Sequence, residues 1–185
     1  MGRARQAYLP SLQTLSLKEF GGSLLKGNAR DARPLSLKRP IHLVLKSSMA
    51  KRERSFLHPI RAKRIRETVT RLARLKRIRV YRYANSGNHL HLVIRTRSRK
   101  TYLDFIRSLS GILARLTLAK ERGLAQQSRN SAESPRLKFW DSRPFTRILE
   151  WGREYQNVSA YVLQNKLEAL GFIPYQKRPQ SRAYG

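Results

Sequence analysis

Cysteine is absent from the 185-residue chain, which excludes a disulfide framework, a thiolate nucleophile and any cysteine-ligated zinc or iron–sulfur site. Metal chemistry would have to use histidine, asparagine, glutamine or carboxylates. Acidic residues are scarce as well: 11 Asp and Glu stand against 40 Lys and Arg, for a formal net charge of +29. Such a chain repels itself until a polyanion neutralises it, and nucleic acid is the leading partner class. Long apolar runs are missing too. No stretch approaches the roughly 20 consecutive apolar residues of a spanning helix, and no membrane partner is expected. The opening "MGRARQAYLPSLQTLSLKEFGG" lacks the continuous apolar core of a secretory signal, so a cytoplasmic, nucleoid-associated protein is expected.

What is present reads as one domain with basic extensions. Residues 1–38 mix Arg, Gly, Pro and Ser and read as a partly ordered arm. "RPIHLVLKSS" alternates, with Ile41, Leu43 and Leu45 on one face and His42, Val44 and Lys46 on the other, as a half-buried strand does. "HPIRAKRIRETVTRLARLKR" places Ile60, Ile65, Val69, Leu72 and Leu75 near helical spacing, with basic residues between them. "IRVYRYANSGNHLHLVIRT" is two strands split by the Gly- and Asn-bearing hairpin signal "ANSGN".

A second helix follows, with Leu103, Ile106, Leu109, Ile112, Leu113 and Leu116 as its stripe and Gly123 as its stop. Residues 122–137 are polar and read as a mobile loop. "LKFWDSRPFTRILEWG" contains a short strand, and "EYQNVSAYVLQNKLEALG" is a third helix ending before Gly171. Residues 174–185 form a basic tail. The order strand, helix, strand, strand, helix, strand predicts an α+β fold: a ferredoxin-like βαββαβ antiparallel sheet spanning residues 39–173, with an extra C-terminal helix bearing Tyr161.

The stretch "NHLHLVIR" carries the chemistry. Residues i and i+2 of a strand share a face, so His89 and His91 project together while Leu90, Leu92 and Ile94 project to the other side. Two adjacent neutral imidazoles can chelate a divalent cation, although a wetter sheet face is the plainer explanation of such a pair. On the third helix Tyr161 stands three residues before Gln164 and four before Asn165, spacings that share one helix face.

With those residues in view, "NHLHLVI" resembles the His-hydrophobe-His motif of the HUH superfamily, and "SAYVLQNKLEALGFI" resembles the tyrosine helix of single-tyrosine transposases of the IS200-like kind. The likeness is nearest to the REP-associated tyrosine transposases. There a histidine-bearing strand, a helix, a segment like "FWDSRPF" and a Tyr-x-x-x-Asn helix occur in this order. Lys166 stands after Asn165 where that family commonly has proline, and the first strand lacks its usual aromatic and Tyr-Arg ending.

The resemblance implies a metal-dependent endonuclease that cleaves and rejoins single-stranded or hairpin DNA through a 5′-phosphotyrosine intermediate. It implies Tyr161 as nucleophile and His89, His91 and Asn165 as ligands of Mg²⁺ or Mn²⁺, with Gln164 as the alternative third ligand. The protein would act as a monomer or homodimer. Candidate phosphate contacts are Arg61, Lys63, Arg64, Arg66, Arg71, Arg74 and Arg79, and Tyr81, Tyr83, Trp140 and Trp151 are candidate stacking surfaces for bases. His42 is a candidate neighbour of the histidine pair, and His58 a capping or surface residue. The alternative is a non-catalytic nucleic-acid-binding protein on the same fold, either a domesticated transposase or an RNA-binding module. Ferredoxin-like RNA binders place aromatic residues where this strand carries histidines.

Overall fold

The computed structural model describes residues 18–22, 32–125 and 138–176, and of residues 119–125 only the backbone. In chain order the elements are β1 (Glu19–Phe20), β2 (Ile41–Lys46), a 3₁₀ turn (Arg52–Arg54), α1 (Pro59–Leu75), β3 (Arg79–Asn85), β4 (His89–Arg95), α2 (Arg99–Ala125), β5 (Phe145–Ile148) and α3 (Arg153–Ala169). The strands form one antiparallel sheet in the order β1-β5-β2-β4-β3. The four strands from β5 to β3 carry the expected ferredoxin-like arrangement.

Alternation along β2 and β4 divides the sheet into two faces. Ile41, Leu43, Leu45, Leu90, Leu92 and Ile94 belong to the main core, where they meet Ile65, Val69 and Leu72 of α1 and Phe105, Leu109 and Leu113 of α2. Burying one such side chain contributes about 1.5–3 kcal/mol, so this face holds the fold together. On the opposite face α3 packs against β3 and β4. Its apolar anchorage is smaller: among the described residues Ala84, Val93, Leu149 and Val162 are the buried members.

β2 is therefore buried on both faces, not half-buried as its alternation predicts: His42 is 0% and Val44 6% exposed. A helix from much later in the sequence covers the side that would otherwise meet water. Two members of the expected α1 stripe, Ile60 and Leu75, are 64% and 65% exposed, because they sit at the helix ends, beyond the reach of the sheet. Gly123 does not end α2, whose backbone stays helical through Ala125. A helical glycine costs only about 1 kcal/mol relative to alanine, which a packed helix tolerates.

The connection "ANSGN" is a hairpin as expected. Gly87 takes φ +85°, and the Asn85 side chain closes the turn by accepting from the Gly87 amide (3.1 Å) and donating to the Phe56 carbonyl (2.8 Å). The sequence gives no sign of β1, a two-residue strand within the arm, or of Arg33, whose Nη1 donates to the Pro144 carbonyl and to Thr146 Oγ1 (2.7 Å each). Both tie the segment preceding β2 to β5. The expected loop over residues 122–137 falls mostly outside the described residues, as does most of the tail over residues 174–185.

Candidate active site on the histidine face

The register of β2 on β4 sets His91 opposite Val44 and His89 opposite Lys46, which leaves His42 diagonal to His91. The three imidazoles line up across the two strands. His89 and His91 stack with centroids 5.9 Å apart and planes 14° apart, and His91 and His42 stack at 5.6 Å and 17°. His91 Nδ1 lies 3.4 Å from His42 Nε2, while His89 Nδ1 lies 2.6 Å from the Asn88 side-chain oxygen. The Asn88 contact makes Nδ1 the protonated nitrogen of neutral His89 and leaves its Nε2 with a lone pair.

Burial keeps His42 and His89 neutral. It pulls His42 down to about 3, with Arg147 adding repulsion, and His89 down to about 4, where Lys46 adds to the effect and Asp141 opposes it. Neutral imidazole is the form that can donate a lone pair to a cation.

α3 lies over this face. The Tyr161 ring meets His91 edge-on at 5.7 Å and 82°, and His42 edge-on at 6.2 Å and 78°. One turn later Asn165, 8% exposed, donates its Nδ2–H to the Tyr161 carbonyl at 2.8 Å. Tyr161, Asn165 and the histidines are thus brought to one side of the sheet. Gln164 is turned elsewhere: its amide donates to Glu168 Oε1 (2.9 Å) and Gln176 Oε1 (3.3 Å).

An ion-pair cluster at the start of α3 fixes the helix to the sheet. Arg147 of β5 donates through Nε (3.0 Å) and Nη2 (2.6 Å) to Glu154 Oε1, and its Nη1 lies 3.5 Å from Glu19 Oε1. The other Glu154 oxygen accepts from the Glu150 amide at 2.8 Å. Burial pushes the Glu154 carboxyl up, but the Glu150 amide and the Arg147 guanidinium outweigh it and hold the group below its ordinary value. Sequence reasoning missed both Arg147 and Asn88, since an Arg–Glu pair seven residues apart and an Asn before a strand are common features.

The expected DNA-contacting residues separate by environment. Lys63, Arg64, Arg66, Arg71, Arg74 and Arg79 are exposed. Arg61 is occupied, its Nη1 donating to the Glu53 and Ser55 carbonyls at 2.8 Å each. Trp140 packs on Phe56 and Phe139 and donates Nε1–H to the Ser110 carbonyl, so its ring belongs to the core side. Tyr81 and Tyr83 are half-buried. Trp151 is 47% exposed and packs with Tyr81 and Tyr155. His58 sits exposed at the N-cap of α1 and makes no side-chain capping bond.

A family model described as "Transposase IS200 like" matches residues 38–165. The chain belongs to the IS200-like transposase family. Among solved structures, this family member is similar to the REP-associated tyrosine transposase bound to a REP hairpin. That match has 10% sequence identity, covers 79% of this chain and 76% of that chain, and gives a TM-score of 0.53. A protein from Deinococcus radiodurans R1 assigned as a transposase is 14% identical over 75% of this chain and 98% of its own, with a TM-score of 0.41. No curated protein matches. The first likeness supports the fold of this transposase-family chain. No described helix is long and apolar enough to cross a membrane.

Proposed function

We propose that this transposase-family protein cleaves and rejoins single-stranded or hairpin DNA through a 5′-phosphotyrosine formed at Tyr161. The observation that carries the reading is the edge-on contact of Tyr161 with His91 at 5.7 Å, with Asn165 one helical turn away on the same face. His89, His91 and Asn165 are the residues that would hold Mg²⁺ or Mn²⁺. The donor set fits: the half-buried His89 imidazole, the buried His91 imidazole and a carboxamide. Asn165 is the amide that α3 brings to the same side of the sheet as the two histidines. A bound divalent ion would supply positive charge against a non-bridging phosphate oxygen.

The protein's own residues do the rest. Tyr161 Oη attacks the scissile phosphorus; the Tyr161 O–P bond forms as the P–O3′ bond breaks, the phenol loses its proton and the departing 3′ oxygen gains one. The number of phosphodiester-type bonds is conserved, so the freed 3′-hydroxyl can reverse the step on another strand without ATP. Asn88 holds His89 by accepting from Nδ1, and His42 supports His91 through the contact between His91 Nδ1 and His42 Nε2, the kind of outer contact that orients metal-binding imidazoles. The Arg147–Glu154 pair keeps α3, and hence Tyr161, seated over the histidines.

The test is incubation of the protein with a labelled hairpin-bearing single strand and Mn²⁺, followed by a denaturing gel. A covalent protein–DNA adduct is expected, and Tyr161→Phe should abolish it. An adduct that survives Tyr161→Phe removes the nucleophile assignment. Steeply salt-dependent binding with no adduct under any divalent ion establishes the binding-only alternative.

A further inference from the structure

β3 is an edge of the sheet, paired only with β4 among the described residues. α1 covers one face beside it and α3 the other, and between the two helices the edge lies at the bottom of a groove of about 410 Å³. A β-bulge shapes that groove. Val80 opposes Ile94 and Arg82 opposes Val93, the very next residue of β4, so Tyr81 is the extra residue. The bulge puts Val80 and Tyr83 with the main core while Tyr81 packs in the α3 cluster. Bulges at sheet edges commonly re-aim side chains in this way.

The lining combines two chemistries. Arg66, Arg82 and Lys166 bring three cations from α1, β3 and α3, and among the described residues no carboxylate lines the groove. Among the described residues none of the three has a carboxylate partner, whereas Arg39 and Arg147 both do. Tyr81, Tyr83 and the half-exposed Leu163 add aromatic and aliphatic wall. Unneutralised cations beside π-faces and apolar surface are what a nucleic-acid strand with unpaired bases needs. The volume is in the range of pockets that hold a small molecule, so it accepts one or two nucleotides and not a duplex.

The groove and the candidate site share α3. Leu163 and Lys166 share α3 with Tyr161 and Asn165, and Lys166 directly follows Asn165. We infer that the groove over β3 seats the unpaired DNA flanking the scissile phosphate, with Arg66, Arg82 and Lys166 on its backbone and Tyr81 and Tyr83 against its bases. This deepens the proposed reaction and rests on that reading for the role of the strand, but strand binding can be measured without the reaction.

The experiment uses the full chain carrying Tyr161→Phe, in EDTA, with fluorescent oligothymidylate of about 12 nucleotides as the probe. Adding Arg82→Glu and Lys166→Glu should weaken single-strand binding at least tenfold and flatten the log-affinity against log-salt slope by about 1.4, the value for two lost single-strand phosphate contacts. Arg107→Glu with Arg115→Glu on exposed positions of α2 makes the same charge change and should cost less than threefold. Should folding fail in the groove double mutant, Arg82→Gln with Lys166→Gln replaces it. Oligonucleotide carrying 5-bromodeoxyuridine should photo-crosslink to peptides of β3 and α3.

Equal losses in the two charge-matched pairs, crosslinks confined to other segments, or displacement by a polyglutamate of equal charge as effective as by unlabelled oligothymidylate would each overturn the assignment. Because metal and nucleophile are absent from the assay, groove binding without an adduct in the wild-type protein would sink the transposition chemistry and leave the groove. An adduct without groove crosslinks would do the reverse.

Discussion

Replacing Val162 by alanine should loosen α3 without unfolding the sheet. Val162 is 1% exposed and is the α3 residue among the four buried members of the small cluster on the histidine face. Removing two methyl-sized groups costs about 1.6 kcal/mol in transfer free energy, and the space left behind brings the total to about 2 kcal/mol. That is a change of about 30-fold in the equilibrium between docked and undocked α3. The main core on the other face is untouched, so the loss should be local. Hydrogen–deuterium exchange with peptide resolution is the assay: α3 peptides should exchange about 30-fold faster while peptides of the buried middle of α2 keep their protection. Acceleration of both helices together would refute the division into two independently stabilised faces. An unchanged α3 would refute its dependence on this cluster. Leu92→Ala, at a 0% exposed position of the main core, is the contrasting case: a loss of about 2–5 kcal/mol spread over the whole domain.

Asn88→Ala removes the acceptor that fixes His89, and Mn²⁺ affinity read by electron paramagnetic resonance should fall about 10- to 100-fold with little change in melting temperature. Glu154→Gln weakens the bonds to Arg147 and should cost about 1 kcal/mol at neutral pH in urea titrations. Because the folded carboxyl lies below its ordinary value, its contribution is present above the ordinary glutamate range and is lost as pH falls through the folded value. The wild type and Glu154→Gln should therefore converge in stability as pH drops below about 4. Gly21→Ala should detach β1: Gly21 takes φ +87°, and a Cβ there would run into the Pro144 carbonyl. Faster amide exchange at β5 with the histidine face intact is the expected result.

The parts of this molecule that were legible from sequence are those whose physics is local or periodic. The period-two alternation of "NHLHLVIR" and "IHLVLK" fixed which side chains share a face, and the three-and-four spacing of Tyr161, Gln164 and Asn165 narrowed the third helix to one side. Spacing left Gln164 and Asn165 open, and they are distinguished by contacts from outside the local sequence: Glu168 and Gln176 draw Gln164 away, while Asn165 is buried. β1 escaped notice because two residues make no pattern and depend on β5, more than a hundred residues later. Ile60 and Leu75 match the helical stripe but sit past the sheet, since periodicity carries no information about where a neighbour ends. The bulge at Tyr81 was hidden for a similar reason, being a property of how β3 meets β4.

An uncovered strand edge is a template on which another copy of the same strand can polymerise. Among the described residues no strand pairs with the outer side of β3, and Arg79 and Arg82 are both exposed along it. An antiparallel pairing of two β3 edges would bring guanidiniums from both chains into one ladder without a carboxylate between them, a like-charge juxtaposition that opposes growth. Arg82, one of the cations that make the groove receptive to a polyanion, thus also acts with Arg79 as a gatekeeper against self-assembly. A variant with threonine at both positions, a good strand former with no charge, would lose more than affinity for nucleic acid: it should precipitate from the native state at concentrations where the parent protein stays in solution.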